Sequence, residues 1–294
     1  MTPVMLGQWP INGVMLIIVG LIGLSIGSFL NVVIYRLSTV FFAKAKLEAY
    51  SILEQTAPCE LQQELIHNDL LRRSACPQCH RPLKIWHNIP ILSYLLLKGR
   101  CGFCQARIHW QYPVVEGVTA FVFLLTFALY GLSITSVAYS VVWCFLIVGS
   151  AIDLRYYILP DEITLIVMWG GLLFNLFTNH LPIDQAVLGA VIGYMLLWGS
   201  YWLFKLFTGK EGMGYGDFKL LAALGAWFGV SAVIFIVFVS AFVGIFLAAM
   251  ASVVLRRGVG MIPYGPAIAV SGLLYTVIGE PLIQWYVSLL VFQY

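Results

Sequence analysis

Apolar residues in this chain come in long blocks, not in a strand-like alternation, with runs at about 11–34, 114–130, 137–152, 163–177, 186–207, 220–229, 230–255 and 267–278. A helix needs about 20 residues to cross a bilayer, so the pattern predicts an all-α polytopic membrane protein of about eight transmembrane helices. The stretch 37–112 breaks the pattern. Its first half, "FAKAKLEAYSILEQ" and "CELQQELIHNDLLRR", reads as mixed-charge helix lying over a membrane face. The expected organisation is a first transmembrane helix over 1–36, a soluble insertion over 37–112, and a helical membrane core over 113–294.

Composition agrees with the pattern. Hydrophobic residues make up 61% of the chain and charged residues 10%, against roughly 25% charged in a soluble domain. The charges also give a direction. Ten of the sixteen Lys and Arg fall between Arg36 and Arg107, which places the insertion on the cytoplasmic side by the positive-inside rule. With eight spans and an outside N-terminus, Arg155, Lys205, Lys210, Lys219, Arg256 and Arg257 fall on or beside the same face. The loops expected outside, 131–136 and 178–184, hold no Lys or Arg. The first span lacks a basic leading region and its apolar run is long, so it is expected to be retained and not cleaved as a signal. No internal repeat is evident, and nothing points to a nucleic-acid partner.

The insertion contains "CPQC" at Cys76–Cys79 and "CGFC" at Cys101–Cys104, separated by 21 residues. Two such turns can present four thiolates in a tetrahedron to zinc, giving a ribbon-like insertion. A reducing compartment disfavours the rival reading of two disulfides. Four cysteines leave no open coordination position, so the metal is expected to fold the insertion and not to catalyse. His80 follows the first turn and reads as a surface histidine. Cys59 and Cys144 lie outside the pattern and read as free thiols.

Two carboxylates carry the candidate chemistry. Asp153 in "AIDLRYYILPDE" closes the third span and Asp217 in "GMGYGDFK" opens the sixth. Because these spans run in opposite senses, both acids reach the cytoplasmic boundary, where an ionisable residue is costly and functional by default. Two acids facing each other would share one proton, the arrangement with which an aspartic protease activates water and protonates a peptide carbonyl. The residues alone also admit a structural reading, with Asp153 paired to Arg155 or Lys219 and Asp217 an ordinary first-turn acid. Gly212, Gly214 and Gly216 can take positive φ and admit an extended peptide, and "IPYGP" at Ile262–Pro266 is expected on the same face. Gly214, Gly216, Pro263, Gly265 and Pro266 are therefore candidate substrate contacts. Each could instead be linker or turn.

"GSFLNVVIYRL" at Gly27–Leu37, the paired cysteine turns, "YPVVE" at Tyr112–Glu116, "IDLRYYILPDEIT" at Ile152–Thr164 and "EGMGYGDFKLLAALGAW" at Glu211–Trp227 together resemble the type IV prepilin peptidases. These are leader peptidase/N-methyltransferases with a GxGD-type aspartyl site. The resemblance implies a multi-pass enzyme of the bacterial inner membrane. It would remove the basic leader of prepilins or of secretion-system pseudopilins and then methylate the new N-terminal residue from S-adenosylmethionine. It carries the aspartyl pair onto Asp153 and Asp217, and it implicates Gly27, Asn31, Arg36 and Glu116 in methyl transfer. Gly27 also suits close helix packing within "GLSIGSF", and Asn31 and Arg36 suit a helix-end anchor.

The chain departs from the family after Arg36, where "LSTVFFAKAK" replaces a proline and an arginine-rich stretch, and at His80, which stands where the family has glycine. Two other readings are a leader peptidase without methyl transfer and a proton-coupled transporter using the same acids. A transporter would spread ionisable groups through the membrane depth, whereas here they gather at one face.

Overall fold

The computed structural model describes residues 12–54, 56, 58, 61, 74–76, 78–255, 263–279, 281–283, 285 and 288. Among the described residues eight α-helices run in order: α1 Gly13–Ile52, α2 Leu92–Leu96, α3 Gln111–Tyr130, α4 Ile134–Tyr156, α5 Asp161–Thr178, α6 Ile183–Thr208, α7 Tyr215–Leu255 and α8 Gly265–Leu274. Among the described residues there is no β-strand, only the isolated bridges Ala75–Pro82 and Arg100–Arg107. The all-α architecture expected from the apolar runs is the one observed.

Six of these helices, α1 and α3 to α7, are long and apolar enough to cross a membrane. The eight apolar runs occupy seven helices, because the runs at 220–229 and 230–255 lie within α7. Its helical path is interrupted at Gly229 (φ 81°, ψ −174°). A break at membrane depth is tolerated only if the freed backbone groups find partners. Here Asn175 Nδ2 donates to the Ala226 carbonyl at 2.9 Å, and its Oδ1 accepts the Leu181 N–H at 3.1 Å.

α1 also differs from expectation. The first span and the "FAKAKLEAYSI" segment form one continuous helix of 40 residues. No proline or glycine lies between Ser28 and Ile52 to end it, and Ala, Lys, Leu and Glu favour its continuation. The second expected helix, from Cys59 to Arg73, falls largely outside the described residues, as do Pro77, Arg256 and Arg257.

The chain divides into two compact units, Met1–Val148 and Gly149–Tyr294. In the first, α1 lies along α3. Gly23 and Gly27 make the approach possible, since a Cβ on either would stand 2.7 Å from a Cα of α3, that of Ala120 and of Glu116 respectively. This is small-residue packing, the means by which membrane helices gain dispersion contact where lipid supplies no hydrophobic drive. In the second unit, α7 is the central element, held against α5, α6 and α8. Gly193 of α6 meets the Leu221 carbonyl, and Phe218, Leu221, Leu224, Ile236 and Ile268 are fully buried there. That packing fixes the first turn of α7, which carries Asp217.

Candidate active site

Asp153 lies in the last turn of α4. The helix ends one turn later, where Tyr157 takes a positive φ of 57° and its N–H closes on the Asp153 carbonyl at 2.8 Å. Such a left-handed stop costs a non-glycine residue energy but satisfies a terminal carbonyl. The chain then crosses through Leu159 and Pro160 to α5. Asp217 sits in the first turn of α7, where its own N–H donates to the Gly214 carbonyl at 3.2 Å.

The two acids come together in the second unit. Both are buried, Asp153 at 5% exposure and Asp217 at 7%, and they interact electrostatically. Gly265, at the start of α8, donates its N–H to Asp153 Oδ2 at 3.0 Å. The Asp153 carboxylate is thus oriented by the backbone amide of a glycine. The cations that could have neutralised them are engaged elsewhere: Lys219 pairs with Asp161 at 2.6 Å, and Arg155 lies over the Tyr156 ring. The ion-pair reading of Asp153 with Arg155 or Lys219 is not what the structure holds. Asp217 does occupy a first turn, as its structural reading required. It is nonetheless buried beside a second acid.

The glycines act differently from expectation. Gly212, Gly214 and Gly216 have no positive φ. A Cβ on Gly216 would stand 2.7 Å from Leu159 Cβ, and one on Gly212 would stand 2.8 Å from the Phe204 ring. At Gly216 the close approach is to the chain's own loop after α4, which draws the segment carrying Asp153 onto the turn carrying Asp217. Gly265 works in the same way: its Cβ would be 2.8 Å from Asp153 Oδ2. Gly214 has open room, with only Asp217 Oδ2 at 3.8 Å. Pro266 opens α8, where its missing N–H costs nothing. Pro263 is half-buried just before it, and Ile262 lies outside the described residues.

Sequence reasoning missed Leu159, Tyr264 and Ser240. The Tyr264 hydroxyl bonds Ser240 of α7 at 2.6 Å, fixing the turn that delivers the Gly265 amide. Burial pushes the Tyr264 phenol above its usual value and the charge of Asp217 adds to this, so the group stays protonated. Ser240, the middle of three serines in the apolar run 230–255, was the available signal.

In the first unit the four sulfur atoms of Cys76, Cys79, Cys101 and Cys104 lie within 4.8 Å of one another. The separation of Cys76 and Cys104 is 3.8 Å, which matches the roughly 3.8 Å edge of a tetrahedron with bonds of about 2.3 Å. The donor set fits a metal ion. Both turns use one backbone pattern. The first cysteine N–H bonds the carbonyl five residues on, as Cys76 to Arg81 and Cys101 to Ala106, and its own carbonyl accepts from His80 or Gln105. Hydrogen bonding from the Cys104 backbone lowers the Cys101 thiol to about 7, while burial and the neighbouring thiols push the Cys104 thiol up to about 11, so the first proton lost from the cluster is that of Cys101.

Gly27, Asn31, Arg36 and Glu116 also lie in the first unit, all buried on α1 and α3. Asn31 Nδ2 donates to the Tyr112 carbonyl at 3.0 Å, and Glu116 Oε2 accepts the Ile91 N–H at 2.7 Å. Gly27 serves close packing.

The model for the bacterial peptidase A24 N-terminal domain matches residues 21–130, and that for the type IV leader peptidase family matches residues 140–249. A prepilin leader peptidase/N-methyltransferase of Aeromonas salmonicida is 42% identical over 273 residues, 92% of this chain and 93% of the relative. Proteins of the same description from Neisseria gonorrhoeae and Pseudomonas aeruginosa are 43% and 38% identical, covering 85% and 93% of this chain and 86% and 93% of their own lengths. No solved structure matches the chain.

Proposed function

This chain belongs to the type IV leader peptidase family, and from that premise we propose that it removes the leader of prepilins or pseudopilins with Asp153 and Asp217 and then N-methylates the new N-terminus. The observation that carries the peptidase reading is the pair of buried carboxylates on α4 and α7, the first held by the Gly265 amide and the two interacting with each other. Two like charges in a low dielectric cannot both ionise cheaply, so the pair holds one proton. The ionised member takes a proton from water as the oxygen attacks the scissile carbonyl carbon. The protonated member donates to the carbonyl oxygen. Collapse breaks the C–N bond, and the proton gained from water passes to the leaving amine.

The placement suits such a substrate. A prepilin carries an apolar helix in the bilayer and a charged leader in the cytoplasm, so its scissile bond lies at the depth of these acids. The cytoplasmic side is inferred from the Lys and Arg distribution. Gly214, with open space beside Asp217, and the turn of Pro263, Gly265 and Pro266 are the backbone the extended peptide would approach.

The metal is read as one zinc ion held by Cys76, Cys79, Cys101 and Cys104, closing two like turns into one body; its contribution is to folding. Methyl transfer draws on S-adenosylmethionine, and residues of α1 and α3 are its proposed site. Incubating the purified protein with a prepilin and S-adenosylmethionine, then measuring intact mass, tests both steps. Leader loss plus one methyl group is expected. Leader loss alone removes the transferase reading, and an unaltered prepilin removes both.

A further inference from the structure

Between α1 and α3 the first unit buries two acceptors that no cation neutralises among the described residues. Asn31 is 4% exposed, and its Oδ1 is buried with no hydrogen-bond partner. Its orientation is fixed, because Nδ2 donates to the carbonyls of Tyr112 and Gly27; a flipped amide would set oxygen against oxygen. Glu116 is 7% exposed, and among the described residues it has no ion pair.

The two groups are neighbours. Gly27 stands against Glu116, and one turn further along α1 Asn31 reaches Tyr112, one turn back on α3.

Glu116 Oε2 also clamps a strained turn. Ile91, whose N–H it accepts, has φ 57° and ψ −49°, and the N–H of Leu92 closes on the Pro90 carbonyl at 2.5 Å. A β-branched residue in this γ-turn conformation is held only where its surroundings impose it, and such strain gathers at functional sites. The clamp uses one carboxylate oxygen, and no cation among the described residues pairs with the group.

We propose that Asn31 Oδ1 and Glu116 form a binding site for an ammonium group. A water could meet Asn31 Oδ1 but would bring no positive charge to Glu116. A hard divalent cation asks for six or more oxygen ligands, and here Oε2 is already committed. An ammonium brings one positive charge and three donors, which meets both acceptors at once.

This rests on the methyl-transfer reading for the identity of the guest, and that reaction supplies two: the α-amine freed by leader cleavage, or the α-amino group of the methyl donor's methionyl part. Either way the site places the reaction between α1 and α3.

The test measures binding to the full-length protein in detergent, comparing wild type with Glu116→Gln and Asn31→Ala. The probes are a hexapeptide beginning with phenylalanine, the same peptide acetylated, S-adenosylhomocysteine, and 5′-methylthioadenosine, which lacks the amino-acid part. The Gln variant keeps an acceptor for the Ile91 N–H, and metal content reports that the fold survives in both variants. If the substrate amine is the guest, both variants weaken the free-amine peptide at least about tenfold and leave the acetylated peptide unchanged. If the donor is the guest, the same loss falls on S-adenosylhomocysteine and spares methylthioadenosine.

Equal binding of all four probes to wild type and variants, loss that ignores the ammonium, or no binding to wild type overturns the site. A wild type that methylates without this discrimination sinks the site and keeps the transferase reading. A wild type that fails to methylate, yet discriminates through Glu116, does the reverse.

Discussion

Gly265 donates its backbone N–H to Asp153 Oδ2 at 3.0 Å, and a Cβ on Gly265 would stand 2.8 Å from that same oxygen. One residue therefore both orients the carboxylate and leaves it room. Gly265→Ala should push the Asp153 carboxylate off its position. Displacements near 1 Å at reacting groups cost about a hundredfold in rate, so leader cleavage should fall by that order with the substrate KM little changed. A near wild-type kcat would show that the Gly265 contact is incidental.

Replacing Asp153 or Asp217 by Asn keeps volume and removes the shared proton. Either variant should lose at least about a thousandfold of cleavage, the scale on which one member of a catalytic unit acts. Melting should stay close to wild type, since a buried like-charge pair is a burden on folding and not a support. In the wild type the rate should fall at both pH extremes, because the reaction needs one acid and one conjugate base: acidification protonates both groups, and alkali ionises both. A pH–rate profile without an acidic limb would argue against the pair.

The sequence exposed those features that depend on the chain's own chemistry. Asp153 and Asp217 stood out because carboxylates beside apolar runs are costly, and the cysteine turns because their ligands are local. Contacts between distant segments were not legible. Gly216 reads as a flexible linker until Leu159 is seen against it at a distance that excludes a Cβ. Tyr264 lies between two recognised residues of "IPYGP", yet its partner Ser240 is 24 positions away. The break at Gly229 divides an apolar run that hydropathy reads as two spans, and Asn175, which meets the freed Ala226 carbonyl, lies 51 residues earlier. Glu116 looked like a ligand-facing acid, and its clamp on Ile91 became visible only in three dimensions.

Tyr264→Phe tests whether the turn before α8 positions Asp153. The change removes the 2.6 Å bond to Ser240, a loss of about 1 kcal/mol in stability. Because Gly265 follows directly, its amide should drift relative to Asp153, lowering kcat about tenfold and leaving KM unchanged. A Ser240→Ala variant should reproduce the effect, and the double variant should add little, since both substitutions remove the same bond. Additive losses would mean that the two hydroxyls act separately.

His80 offers a test of the cysteine turns that does not touch a ligand. It holds φ 55°, and Gln105 holds φ 60° at the equivalent place after the second pair. Left-handed backbone costs a side-chain-bearing residue about 1–2 kcal/mol, and glycine escapes that penalty at the expense of a more flexible unfolded chain. His80→Gly should therefore stabilise the turn by up to about 1 kcal/mol, and Gln105→Gly should act alike because both turns share one hydrogen-bond pattern. Metal binding is linked to this folding step, so each variant should lose zinc to a chelator more slowly than wild type. A Cys79→Ser variant should lose it faster. If His80 were itself a ligand, His80→Gly would instead speed metal loss, which separates a conformational role from a coordinating one.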